Sequence, residues 1–533
     1  LCHISFIGEP LTAYDISKLL SEREEIGTAA GAAASMHWPV LLAWGLPYGA
    51  LFLLFNRWLP SAANPHQRSS YSWAPLLLVI LILGSKPHRA LEMDMLAFMP
   101  GPTRSSLHNS INVFSFYGTR MLGRSDQFQR PHYQPYTVTP IPVADAPETI
   151  FLVVPDSVRN DRLGVTGYPR PTTPHLSALA ASGKLEVSNG LAASVATGAS
   201  LPLMLNVVNE PGNLAALDSG VANLFRRAQE AGYKTFWIST QESKLLNGLD
   251  SQHIDVRITR EDDPLSLSAD GDRAALGWLA GQQWAEKNFV VLNLRTAHTP
   301  YADAYQAEPE RYSVWPTEGG GISVNQRRSN AYDNALLYLD SLLADTIEFA
   351  QENFRGDLLW VFTSDHGQML GENGSWGHNR LRPAVASVPM MAFERRDNPS
   401  DTPYRLPDSN LVSHYEMGRW LLGEMGFRLD NPNKVEGVHY FHNEKLYGDN
   451  LFQQVRETSQ GPVFSSMQLV SGSKITADDL KQDEIELVLH RQAERNSQQS
   501  VQQRELSDDS SKETATAPAG ARTTGASVGA SSI

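Results

Sequence analysis

The sequence is 533 residues long, 41% hydrophobic, and carries a formal net charge of −14. That length holds several folding units, and the negative charge excludes a broad basic surface for a phosphate backbone, so no nucleic-acid partner is expected. Cys2 is the only cysteine, which excludes an intrachain disulfide and a cysteine-based zinc site.

The chain opens on Leu1, so further sequence upstream is expected. Residues 1–36 are polar and acidic, with Glu22, Glu24 and Glu25 close together. From His37 to Trp58 no charge occurs before Arg57. About 20 apolar residues, rising about 1.5 Å each, cross a hydrocarbon core of about 30 Å. Trp38 and Trp58 lie at the ends of the run, where interfacial aromatics are favoured. A second, shorter apolar run follows, and 37–58 and 72–85 together read as a transmembrane hairpin. Residues 86–147 read as a connector. Within it, Asn112 to Leu122 fits a packing helix better than one lying on a membrane surface, and Pro131 to Pro147 reads as an extended, proline-rich linker.

From Thr149 strand and helix patterns alternate. Ile150 to Val154 predicts a buried strand ending at Pro155-Asp156. Val221, Leu224, Phe225 and Ala228 predict a helix over 221–231, and the next strand falls at 235–238. A helical stretch over 273–287 leads into a strand at 289–294. Tyr332, Leu336, Leu339, Leu343 and Ile347 mark a long amphipathic helix, followed by strands at 358–363 and 388–393. This order predicts an α/β domain over 148–455 with a mainly parallel central sheet and helices on both faces. Residues 456–495 read as a C-terminal extension with a charged helix. Residues 496–533, nearly devoid of large apolar side chains, are expected to be a disordered tail.

In an open α/β sheet, sites form where strand-end loops converge on solvent. The strand at 358–363 stops at Ser364-Asp365-His366-Gly367, and His378 follows in a Gly-rich loop. A carboxylate beside imidazoles supplies O and N ligands that suit Zn²⁺. Asp156 leaves the first strand. Thr197, in Ala196-Thr197-Gly198-Ala199-Ser200-Leu201-Pro202, would start a helix with its hydroxyl near the amide dipole. His298 follows the strand that ends at Leu294. Taken singly, Asp156 reads equally as a helix cap, Thr197 as a capping residue and His298 as a loop histidine. Their joint placement at strand ends favours a site.

Asp156-Ser157-Val158-Arg159, followed by Gly167-Tyr168-Pro169-Arg170-Pro171-Thr172-Thr173-Pro174, resembles the family of lipid A phosphoethanolamine transferases. Thr197-Gly198-Ala199-Ser200-Leu201-Pro202, His298-Thr299-Pro300-Tyr301, Ala331-Tyr332-Asp333-Asn334-Ala335-Leu336, Ser364-Asp365-His366-Gly367 and Gly371-Glu372-Asn373-Gly374 with His378 match further motifs in the same order, over about 148–395. The resemblance implies an alkaline phosphatase/sulfatase-like fold preceded by transmembrane helices. It further implies an inner-membrane protein with a periplasmic catalytic domain.

On this resemblance Asp156, Thr197, Asp365 and His366 would hold Zn²⁺, and Thr197 would take phosphoethanolamine from phosphatidylethanolamine and pass it to lipid A or another envelope glycan. Metal coordination would lower the hydroxyl's pKa and make it nucleophilic. His298 and His378 would bind phosphoryl oxygens, act as acid or base, or hold a second zinc, and Lys244 would touch the phosphate. Two positions depart from the family: Asp156 stands where a Glu is usual, and Gln368 where a Glu follows the Asp-His-Gly. Alternatives are a phosphoglycerol transferase of the same superfamily, a sulfatase and a non-catalytic membrane scaffold. A sulfatase needs a Cys/Ser-x-Pro/Ala-x-Arg signature, and Ser200-Leu201-Pro202-Leu203-Met204 lacks the Arg. A scaffold would tolerate loss of ligands, whereas every metal position here holds a competent residue.

Overall fold

The computed structural model describes Ile16 and residues 106–121, 133–143, 145–262, 271–319, 321–398, 402–444, 446, 451–458 and 461–469. The apolar runs 37–58 and 72–85, the charged helix of the C-terminal extension and the tail 496–533 lie outside these residues. Among the described residues no helix is long and apolar enough to cross a membrane.

The central sheet is built from β1 (Thr149–Pro155), β2 (Leu185–Leu191), β3 (Lys234–Ser239), β4 (Val256–Ile258), β5 (Asn288–Leu294), β6 (Leu358–Thr363), β7 (Ser387–Arg395) and β8 (Val412–Ser413). Their spatial order is β8-β2-β7-β6-β1-β5-β3-β4. Strands β6, β1, β5, β3 and β4 pair in parallel, as do β2 and β8. Strand β7 runs against both its neighbours. The mainly parallel sheet expected from the sequence is therefore mixed. No crossover helix spans the sheet between β6 and β7; the chain leaves β6 at its C-terminal end and re-enters there, so β7 must run back.

Every residue of β1, β5 and β6 is buried, which is why these strands read as continuous apolar runs instead of alternating ones. Alternation along β1 sends Ile150, Leu152 and Val154 to one face and Phe151 and Val153 to the other. The first face is covered by α2 (Thr197–Leu205), α3 (Leu224–Glu230) and α6 (His414–Glu424), through Leu201, Phe225 and Leu421. The second is covered by α1 (Pro174–Ala181), α4 (Ala274–Ala280) and the 30-residue α5 (Val324–Asn353), through Leu176, Leu279 and Leu339.

Several boundaries differ from the expected ones, each for a local reason. Helix α3 starts at Leu224, because the Asn223 side chain accepts the Arg226 N–H at 3.0 Å and caps it. Helix α4 ends at Ala280 with Gly281 beyond it. The side chain of Asn288 then bonds Ala285 N and O, each at 2.9 Å, folding the rest of the expected helix into a tight approach to β5. In the connector, Ser106–Phe116 is helical and packs through Val113 and Phe116. Part of the proline-rich linker is a strand, Thr137–Pro140, paired antiparallel with Phe427–Asp430. Its partner lies almost 290 residues away. A second sheet over Val438–Leu469 docks on the chain before α2 through Val195 N to His442 O at 3.0 Å and His442 N to Ala193 O at 2.9 Å.

Helix α5 fixes the segment that carries the longest motif. Asp333, fully buried, accepts from Arg162 Nε at 3.1 Å, Tyr168 OH at 2.9 Å and Arg170 Nη1 at 2.7 Å. Two turns further, Asp340 accepts the N–H groups of His175 and Leu176 at 2.8 and 3.0 Å, closing the N-terminus of α1. Replacing Asp333 by Ala strands two guanidinium groups and a phenol around a cavity. Urea unfolding of Asp333→Ala is expected to show a loss of about 2–4 kcal/mol; an unchanged midpoint would refute this role.

Candidate active site

The site is built at the C-terminal ends of the adjacent strands β1 and β6. Beyond β1 the chain turns sharply at Ser157, a non-glycine residue in the left-handed region with φ 64°. Such a residue persists only where its surroundings fix it. Here its N–H donates to Asp365 Oδ1 at 3.0 Å, its hydroxyl donates to Asp156 Oδ1 at 2.6 Å, and its carbonyl accepts the Tyr332 hydroxyl of α5 at 2.7 Å. The same Tyr332 oxygen accepts the Arg159 N–H at 2.9 Å. The result is an Asp156 side chain held against the end of β6.

Beyond β6, Asp365 and His366 are fully buried, and Asp156 is 1% exposed. Asp365 Oδ1 accepts the N–H groups of Ser157 at 3.0 Å and His366 at 2.7 Å. Its other oxygen, Oδ2, accepts no hydrogen bond among the described residues and lies 3.4 Å from His366 Nε2. The Nδ1 of His366 is 2.9 Å from the Gly367 carbonyl, which can only accept, so Nδ1 carries the proton and Nε2 presents a lone pair. Gly367 is obligatory: a Cβ there would lie 2.4 Å from Ala384 O and 2.8 Å from Ser387 O.

Asp156, Asp365 and His366 offer ligand atoms within 4.8 Å of one another. A buried carboxylate oxygen without a donor, facing an imidazole lone pair, is the arrangement a cation resolves, and the donor set suits Zn²⁺. Burial first, and then the Asp156 charge, push the Asp365 carboxyl up to about 6.

Thr197 is the first residue of α2 and is half-buried, with exposed Gly198 next to it. Its hydroxyl lies 3.5 Å from Asp156 Oδ2 and 3.4 Å from His366 Nε2. Ser200, one turn along, donates to Asp365 O at 2.5 Å and fixes α2 to the β6 loop. Four of the sequence-derived residues therefore meet at one point. Two more border it: the rings of His366 and His378 are 4.4 Å apart between centroids, and those of His378 and His298 are 5.8 Å apart. The turn containing Lys244 packs against α2, and Lys244 itself is engaged by Glu242 at 2.6 Å.

Residues around the cluster hold these groups. Gln368 donates through Nε2 to Tyr301 OH at 2.7 Å, so its Oε1 is free to accept from His378 Nδ1 at 3.2 Å. Arg159, almost fully buried, joins the two loops by bonding Asp161, the Gln368 carbonyl at 3.1 Å and Glu372. His414, fully buried, accepts the Ala193 N–H at 3.1 Å and reaches Thr363 Oγ1 at 3.2 Å. Burial pushes its pKa down to about 3, so it remains neutral and serves as a polar strut between the approach to α2 and β6. Nothing in the periodicity marks these residues, because each acts through a partner distant in sequence.

The sulfatase family model matches residues 148–426. Among curated proteins, the phosphoethanolamine transferase EptA of Helicobacter pylori is 27% identical over 252 residues, covering 45% of this chain and 46% of that protein. The phosphoethanolamine transferase EptC of Escherichia coli K12 is 29% identical over 238 residues, covering 42% and 40%. The chain thus spans less than half the length of these curated relatives. Among solved structures, the C-terminal periplasmic domain of EptC from Escherichia coli in complex with Zn aligns with 67% of this chain and 99% of that one, at 20% identity and a TM-score of 0.48.

The raised Asp365 pKa carries a sign. In the metal-free protein its proton stabilises the fold below the unfolded value of 3.8, and that contribution is lost as pH rises through about 6. A cation that replaces the proton restores it. The gain in Tm on adding stoichiometric Zn²⁺ is therefore expected to be larger at pH 7.5 than at pH 5.0, and Asp365→Asn is expected to remove the difference and weaken Zn²⁺ binding by more than about 100-fold. Equal Zn²⁺ shifts at both pH values in the wild type would contradict the assignment.

Proposed function

The chain belongs to the sulfatase family, and from that premise we propose that it is a membrane-anchored transferase moving phosphoethanolamine from phosphatidylethanolamine to a hydroxyl of lipid A or another envelope glycan. The observation that carries this reading is the meeting of a half-buried threonine hydroxyl with a buried ligand cluster: Thr197 Oγ1 stands 3.5 Å from Asp156 Oδ2 and 3.4 Å from His366 Nε2. The names of the relatives support the same chemistry, and the missing signature Arg after Ser200-Leu201-Pro202 speaks against sulfate-ester cleavage.

In this reading Asp156, Thr197, Asp365 and His366 hold Zn²⁺, which when bound lowers the pKa of a coordinated hydroxyl and draws charge from phosphoryl oxygens. Thr197 Oγ1 attacks phosphorus in line with the diacylglycerol oxygen. The Oγ1–P bond forms as the P–O bond to glycerol breaks; the threonine proton passes to a base and the departing diacylglycerol oxygen takes one up. The acceptor hydroxyl then displaces Thr197 from the phosphoethanolamine by the same chemistry, giving ping-pong kinetics. His298 and His378, at the edge of the cluster, serve as the acid and base for the leaving and entering hydroxyls and bind the phosphoryl oxygens. Lys244, on the turn packed against α2, contacts the phosphate. The runs 37–58 and 72–85 anchor the chain in the inner membrane, and the domain over 148–455 lies in the periplasm.

The test is intact-mass spectrometry after incubation with phosphatidylethanolamine and Zn²⁺, with Thr197→Ala run in parallel. A phosphoethanolamine adduct is expected on the wild type alone, with Thr197→Ala folded but at least about 1,000-fold slower in turnover. An adduct formed from phosphatidylglycerol instead would make the protein a phosphoglycerol transferase. No adduct from either donor would overturn the transferase reading.

A further inference from the structure

Outside the ligand cluster, a buried carboxylate organises the loop that delivers His298. Asp272 lies in the turn Gly271–Arg273 before α4 and is 6% exposed. Its Oδ1 accepts the Thr240 hydroxyl and the Arg295 N–H at 3.0 Å; its Oδ2 accepts the same N–H at 3.0 Å and the Thr296 hydroxyl. Thr240 is the first residue beyond β3, and Arg295 and Thr296 are the first two beyond β5. One side chain thus staples the C-terminal ends of two neighbouring parallel strands.

From that staple the chain closes one turn, His298 N to Arg295 O at 3.0 Å, and His298 leaves it with Nδ1 2.6 Å from Thr299 O. The donors are two hydroxyls and an amide, which only an acceptor on both oxygens can satisfy together; an amide side chain would turn an NH₂ group toward one of them. A strand-end loop of this kind is otherwise free to open, and a misplacement of about 1 Å at a reacting group is felt in rate long before it is felt in binding.

We propose that Asp272 is a positioning residue, which by clamping Arg295 and Thr296 to the end of β3 sets where β5 presents His298 to the reacting phosphoryl group. Its effect on rate rests on the transferase reading; its effect on the loop does not.

The experiment combines a double-mutant cycle with hydrogen exchange on the full chain. Asp272→Ala is expected to lower kcat by at least about tenfold with KM for phosphatidylethanolamine within about twofold, and Zn²⁺ content unchanged. Combined with His298→Gln, it is expected to add nothing to the loss caused by His298→Gln alone. By mass spectrometry, the amides of 295–298 are expected to exchange at least about tenfold faster in Asp272→Ala, with peptides around Asp156 and Asp365 unchanged. Losses that multiply in the double variant, or exchange at 295–298 identical to wild type, would overturn the proposal. Asp272→Asn, close in volume, supplies the same readouts where the Ala variant does not fold. A wild type without turnover refutes the transferase reading alone, because the exchange comparison still decides what Asp272 does.

Discussion

Two carboxylates and an imidazole cannot leave water together without a framework that prevents them from relaxing apart. Asp156, Asp365 and His366 are buried to within 1% exposure, and one oxygen of Asp365 accepts no hydrogen bond among the described residues. The surrounding structure supplies the restraint. Ser157 is held in an unfavourable backbone conformation by three hydrogen bonds, and Ser364 Oγ ties Val158 N to Pro155 O at 2.8 and 2.7 Å. Gly367 lets the chain pass where no side chain fits. What looks like a loop is as constrained as the strands beneath it.

Helix α5 is the beam on which this framework rests. Tyr332 holds the Ser157 corner, Asp333 gathers Arg162, Tyr168 and Arg170, and Asp340 terminates α1. The long Gly167–Pro174 motif therefore has a local explanation. It wraps the chain between β1 and α1 around one carboxylate, and its residues keep the ligand loop in register without touching the cluster.

The residues of the candidate site were more legible in the sequence than those that support them. Asp156, Thr197, His298, Asp365 and His366 could be found because each stands directly beyond an apolar strand or at the start of a helix, where local pattern and position in the sheet coincide. Strand β2, Leu185–Leu191, carries Glu186, Ser188 and Asn189 beside Val187 and gives no clear period. The strand at Thr137–Pro140 lies in proline-rich sequence and exists only by virtue of Phe427–Asp430. His414 and Asp272 are invisible for a different reason: a polar residue that satisfies another buried group leaves no trace in spacing, only in three dimensions. The direction of β7 falls in the same class, since it depends on the path of the loop and not on the strand's own residues.

The pairing of β1 with β6 has a consequence in time. Asp156 and His366 stand just beyond the ends of neighbouring strands, yet 209 residues separate Ile150 from its partner Leu359, and the second sheet that braces the approach to α2 comes later still. Such contacts form last, because the loop must close before any of them stabilises it. The cluster of Asp156, Asp365 and His366 is thus a product of nearly complete synthesis and folding.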